Sequence, residues 1–126
     1  MDIKLPPTFV DIASKLFHSS LQLHAAHLQT YSFAVHKGAL DGFYKDITGI
    51  TDTLIETYQG KIKGRVKGYK SYPIVDDVDP VKYLESLKME VEKYRKTLDF
   101  SMDNINNQLQ IVIDLIESTL YFLTLK

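Results

Sequence analysis

Residues 23–60 read LHAAHLQTYSFAVHKGALDGFYKDITGITDTLIETYQG, and their periodicity decides the fold class. At 100° per residue, Leu40, Phe43, Ile47, Ile50, Leu54 and Tyr58 fall on one apolar stripe. Asp41, Lys45, Asp52, Glu56 and Gln59 fall on the opposite side. The spacing predicts a helix over residues 33–58, capped by Ser32 and stopped at Gly60. The break at Gln29-Thr30-Tyr31 separates it from an earlier helix. Gly38, Gly42 and Gly49 each cost about 1 kcal/mol against alanine inside a helix, a cost that close approach of a neighbouring helix would offset.

Working outward, the earlier helix begins after Pro6-Pro7, with Thr8 as N-cap and Asp11 completing a capping-box-like pair. Phe9, Ile12, Leu16, Leu23 and Leu28 carry it to about residue 28. On the other side, residues 61–78 (KIKGRVKGYKSYPIVDDV) contain glycines, one proline and no helical period, and read as a long connection. Asp79-Pro80 then places an N-cap before a proline at the first helical position. A third helix is expected over residues 81–98, with Tyr83, Leu84, Leu87, Val91, Tyr94 and Leu98 as its apolar side. Phe100-Ser101 breaks it, and Ile105, Leu109, Val112, Ile113, Ile116, Leu120 and Leu123 mark a fourth over residues 102–123. The order predicts an all-α four-helix bundle with a long connection between helices two and three, long enough to permit a crossover along the bundle as in ferritin-like folds.

Composition narrows the classes of function. A chain of 126 residues is expected to form one domain, residues 1–126, with a core that needs no staples. It has no cysteine, which excludes disulfides, thiolate metal sites and cysteine nucleophiles. A formal net charge of −1 argues against a surface built throughout for nucleic acid. The start MDIKLPPTFVDIASK lacks the basic and continuously apolar segments of a signal peptide, and no stretch is apolar enough for a membrane span. A soluble, cytoplasmic protein with no membrane association is expected.

The chemistry-bearing residues cluster early. His18, His24, His27 and His36 precede a carboxylate row, Asp41, Asp52 and Glu56. Histidine and carboxylate on neighbouring helices are how four-helix bundles hold iron or a similar metal. The alternative for His24 and His27 is packing against backbone or tyrosine groups; for the carboxylates it is a solvated face or a subunit interface, with Lys45 beside them. His18 has no partner at suitable spacing and reads as a surface residue.

The order His…His, then Asp, then Asp-x-x-x-Glu resembles the Dps branch of the ferritin-like superfamily. "LHAAHLQT", "FAVHK", "ETYQGK" and the C-terminal "STLYFLTLK" look most like short Dps-like proteins encoded by bacteriophages and their hosts. The resemblance covers most of residues 20–60 and the last helix. It implies a homo-oligomeric shell that oxidises Fe(II), a ferroxidase, at sites shared between two subunits. One subunit would give His24 or His27, His36 and Asp41; its neighbour would give Asp52 and Glu56. Iron, or another divalent metal, is the implied metal, and host cytoplasm or virion the implied location. The chain departs from the family in two respects. The nine-residue step from His27 to His36 is shorter than the family's, whereas His24, twelve residues before His36, offers the usual separation. His36 and Asp41 are also five residues apart, about 140° on a regular helix. A π-bulge near Gly38 would turn His36 towards Asp41.

Lys61, Lys63, Arg65, Lys67 and Lys70 make a run of cations free of acids, able to contact DNA phosphates. The alternative is a solvated loop balanced by Asp76, Asp77 and Asp79. Two functional expectations follow: a Dps-like iron-binding protein, or a non-enzymatic phage structural, packaged or host-interacting bundle that has lost the metal.

Overall fold

The computed structural model describes residues 5–32 and 37–125. Among them are four α-helices and no strand: α1 (Phe9–Gln29), α2 (Gly38–Ile62), α3 (Pro80–Arg95) and α4 (Asp103–Leu123), with a 3₁₀ turn at Phe100–Met102. α1 starts where the capping box places it. The Thr8 amide donates to Asp11 (2.9 Å) and the Asp11 amide to the Thr8 hydroxyl (3.4 Å). Asp79 caps α3 by accepting from the amides of Val81 and Lys82, with Pro80 behind it.

α1 and α4 each pack against both α2 and α3, so α2 and α3 occupy diagonal corners. The ends fix the directions. Phe9 stacks on Tyr58 (centroids 3.7 Å apart) and meets Tyr94 edge-on, gathering the start of α1 with the ends of α2 and α3. Arg95 donates to Asn106 and Gln110, and Lys88 pairs with Glu117, so α4 runs back along α3. The helices therefore run up, down, down and up. Ile12, Leu16, Leu23, Leu40, Phe43, Ile47, Leu54, Leu84, Val91, Ile105, Leu109 and Ile116 form the sealed centre. Burying each such side chain stabilises the fold by about 1.5–3 kcal/mol. No helix among the described residues is long and apolar enough to cross a membrane.

Two parallel helices in sequence require the chain to return the length of the bundle, and residues 63–79 do so along α1. The Ser14 hydroxyl accepts from the Lys70 amide (2.8 Å). Gln22 pairs with the Val75 backbone through two bonds, its amide donating to the carbonyl and its oxygen accepting from the N–H, both 2.8 Å. Gln29 accepts from the Asp77 amide (3.0 Å) and donates to the Asp76 carboxylate (2.9 Å). Steps of eight and seven keep these residues on one side of α1.

His18 belongs to the same stripe, which corrects its reading as a surface residue. Its Nε2 bonds the Pro73 carbonyl (2.9 Å) and its Nδ1 the Tyr83 hydroxyl (2.8 Å). A carbonyl only accepts, so Nε2 carries the proton and Tyr83 donates to Nδ1. Burial pushes the Tyr83 phenol well above its ordinary value, keeping that donor protonated.

Two helix ends differ from expectation. Gly60 does not stop α2, which runs on to Ile62; Lys63 takes the left-handed conformation instead (φ 55°, ψ 45°). Gly64 then donates to the Gln59 carbonyl (3.2 Å), satisfying the helix end. α3 ends at Arg95 rather than near residue 98, because the amides of Thr97 and Leu98 reach back only three residues, to Tyr94 and Arg95. Nor do Gly42 and Gly49 admit a neighbouring helix within the chain: a Cβ on either meets no atom within 4 Å.

Gly60→Ala is therefore expected to raise stability by about 1 kcal/mol, since the added methyl meets nothing and the site is helical. Gln22→Ala should lower it by about 2–3 kcal/mol, the sum of two hydrogen bonds and lost packing. Urea unfolding checks both, and faster hydrogen exchange at the Val75 amide in the second variant would place the loss in the crossover.

Candidate functional site

The end of α1 and the start of α2 bring together His24, His27, Asp41, Tyr44 and Lys45. His27 sits in the last turn of α1, and its Nδ1 lies 3.0 Å from the Lys37 carbonyl. That acceptor fixes the proton on Nδ1 and leaves a lone pair on Nε2 in the neutral ring. Nε2 faces the Asp41 Oδ1 at 3.8 Å. Two acceptors so placed offer a nitrogen and an oxygen to a metal ion between them. The Lys37 ammonium donates to the His27 carbonyl (3.3 Å), tying the end of α1 to the start of α2.

Asp41 is heavily engaged. Its Oδ2 accepts from Lys45 (3.0 Å) and its Oδ1 from the Tyr44 hydroxyl (3.0 Å). The hydrogen bond from Lys45, followed by that from Tyr44, holds the carboxyl below the ordinary aspartate value of 3.8. The Tyr44 phenol is pushed up, first by burial and then by its bond to Asp41. The Lys45 ammonium is raised by Asp41 in turn. His24 is exposed, and its ring stacks on Tyr44 with centroids 4.1 Å apart and planes 7° from parallel. The two histidine rings are 6.3 Å apart.

Of the remaining expected ligands, Asp52 and Glu56 lie elsewhere. His36 falls outside the described residues. The Lys37 amide donates to the Ser32 carbonyl five residues back (3.1 Å), a π-type reach. Asp52 and Glu56 lie exposed one turn apart on α2, and Asp52 is eleven residues, or about 16 Å, beyond Asp41. Among the described residues, no three histidine or carboxylate side chains converge as a metal would need. One chain thus assembles a His27–Asp41 pair and, separately, an Asp52–Glu56 pair.

The sequence does not single out Tyr44; tyrosine enters there only as an unspecified packing partner for His24 and His27. Its signal was position: three residues after Asp41 and beside Lys45, it had to share the face that meets α1. The basic run is split as well. Lys61, Lys63, Arg65 and Lys67 are exposed near the bundle end where α1 begins, whereas Lys70 pairs with Asp11. Asp76, Asp77 and Asp79 do not balance them, because the crossover carries these acids to the far end.

Nitrogen-detected NMR is expected to find neutral His27 as the Nδ1–H tautomer. A carboxyl titration should place Asp41 below 3.8, and Lys45→Ala should move it back up. Folding depresses this group. Its contribution to stability is therefore present above the ordinary carboxylate range and lost as the pH falls through the folded value. Asp41→Asn should remove that part of the acid dependence.

No curated protein and no solved structure matches the chain. One family pattern does, over residues 27–123, which takes in His27, Asp41, Asp52, Glu56 and the whole crossover. The chain belongs to the DUF5856 family, a family of unknown function.

Proposed function

We propose that the protein is a ferritin-like, Dps-type iron-binding protein working as a homo-oligomer. The observation carrying this reading is the opposition of the His27 Nε2 lone pair and the Asp41 carboxylate, with the ring held from behind by a backbone carbonyl. A ring so held presents its second nitrogen in a fixed direction, the usual support of a metal-binding histidine. Nitrogen and carboxylate oxygen together suit iron or manganese. Among the described residues the donor set of one chain is incomplete, so Asp52 and Glu56 of a second copy would supply the remaining oxygens.

Other features support assembly. Phe17, Leu21 and Leu28 are exposed at spacings of four and seven along α1. Gly42 and Gly49 leave open space on α2. The up-down-down-up course with a crossover is that of ferritin-like bundles. Fe(II) is the substrate: it would give up an electron to oxygen or peroxide, and carboxylates would favour the Fe(III) product.

A second reading rests on Lys45, whose ammonium lies on the Asp41 Oδ2 and opposes the approach of a second cation. On that reading the bundle keeps its fold without a metal and acts by binding, as a phage virion component or a host-directed protein.

Fe(II) added in air to metal-free protein is expected to oxidise faster than in buffer, with light scattering reporting a large assembly. His27→Ala alone should slow oxidation, as should Asp52→Ala with Glu56→Ala. Coassembly of the two variants should restore part of the rate, because some interfaces then hold one intact site. No acceleration by the wild type, together with metal binding gained by Lys45→Ala, would favour the second reading.

A further inference from the structure

The opposite end of α1 carries a cleft of about 690 Å³ between α1, the crossover and the last turns of α3. Its volume is that of sites for small organic ligands. Lys15, Lys70, Lys93 and Lys96 line it, with Asp11 and Glu90 as its acids. Lys70 pairs with Asp11, and both Lys15 (3.2 Å) and Lys93 (3.6 Å) lie on the one carboxylate of Glu90. Lys96 makes no ion pair among the described residues, so four cations against two acids leave a surplus of two positive charges.

Beyond the cleft, Lys67 lines a second hollow with Val10 and Val66, and Arg95 a third with Lys96 and the acid Glu92. Arg95 spends its donors on the neutral side chains of Asn106 and Gln110, keeping its full charge at this end. The wall is not wholly polar: Pro6, Pro7 and the half-buried Tyr72 give flat apolar surface beside the lysines. These features come from three separate stretches of sequence: the start of α1 with the residues before it, the crossover, and the last turns of α3.

We propose that this cleft binds a small organic phosphate, its phosphates on Lys93, Lys96 and Lys15 and its flat or apolar part against Tyr72. Two surplus cations match a dianionic group, and ammonium donors suit phosphate as point charges. The cleft is separate from the His27 region: Lys15 and His27 are twelve residues apart on α1, about 18 Å. Its occupation does not depend on iron.

ATP, pyrophosphate and inorganic phosphate serve as probes, with calorimetry and amide NMR as readouts on the full chain. ATP is expected to bind with a Kd below about 1 mM at low salt and to shift amides around residues 70–72 and 93–97. Lys93→Ala with Lys96→Ala, both exposed, should weaken it about tenfold or more, while Lys82→Ala at the other end of α3 should leave it unchanged. Tyr72→Leu should weaken ATP and spare pyrophosphate. Circular dichroism verifies that each variant is folded. No saturable binding would overturn the proposal. So would equal losses in the Lys82 variant, the mark of diffuse attraction, or binding of duplex DNA that ATP fails to displace.

Discussion

The architecture depends on how residues 63–79 are held against α1. Without that constraint, α3 could start at either end of the bundle, and α4 would follow it. Gln22 supplies the central restraint. A fully buried amide must bond somewhere, and here both its donor and its acceptor are met by the Val75 backbone. Ser14, His18 and Gln29 extend the pairing in both directions. An extended segment has backbone groups to satisfy and no sheet to join, so a polar stripe on a helix does the work of a neighbouring strand. The register matters, because sliding the crossover would unpair several buried groups together.

This arrangement explains what could be read in advance. Helix positions were legible because burial imposes a 3.6-residue period and because Thr8 and Asp79 are side-chain caps acting within a few residues of themselves. The crossover's path was not. Ser14, His18, Gln22 and Gln29 look like a solvent face, and their partners lie some fifty residues away. His18 was misread for that reason. Gly60 misled because glycine signals a helix end only when the backbone turns left-handed, and here Lys63 makes that turn. The phenol–imidazole pairing of Tyr83 with His18 is likewise nonlocal.

At the candidate site, His27 and Asp41 could be picked out, because a short link between antiparallel helices forces the end of one against the start of the next. What a sequence cannot state is which atom of each ring is free. The Lys37 carbonyl decides that, by taking the Nδ1 proton and turning Nε2 outward. Tyr44 escaped notice because its role lies in geometry: it stacks on His24 while donating to Asp41. Asp52 and Glu56 were read as part of the same row, and the rise of α2 separates them from it. Their relation to His27 therefore runs through a second molecule or not at all.

The weight of Lys45 against a metal turns on the capacity of one carboxylate. Ionised Asp41 offers about four acceptor positions, two on each oxygen. Lys45 takes one on Oδ2 and Tyr44 one on Oδ1, which leaves Oδ1 a further lone pair towards His27 Nε2. The lysine does not fill the gap between ring and carboxylate; it lies on the other oxygen. It acts instead as a charge, keeping Asp41 ionised to low pH while opposing a second cation. That repulsion is felt through solvent, since Lys45 is exposed, and water and salt weaken it. A metal held by His27 and Asp41 would lie closer to its ligands than to the ammonium, and its attraction to two further carboxylates would outweigh a screened lysine. With no such carboxylates at hand, the lysine prevails. On the proposed reading, the chemistry of this end of the bundle turns on whether a second α2 face comes within reach of the first.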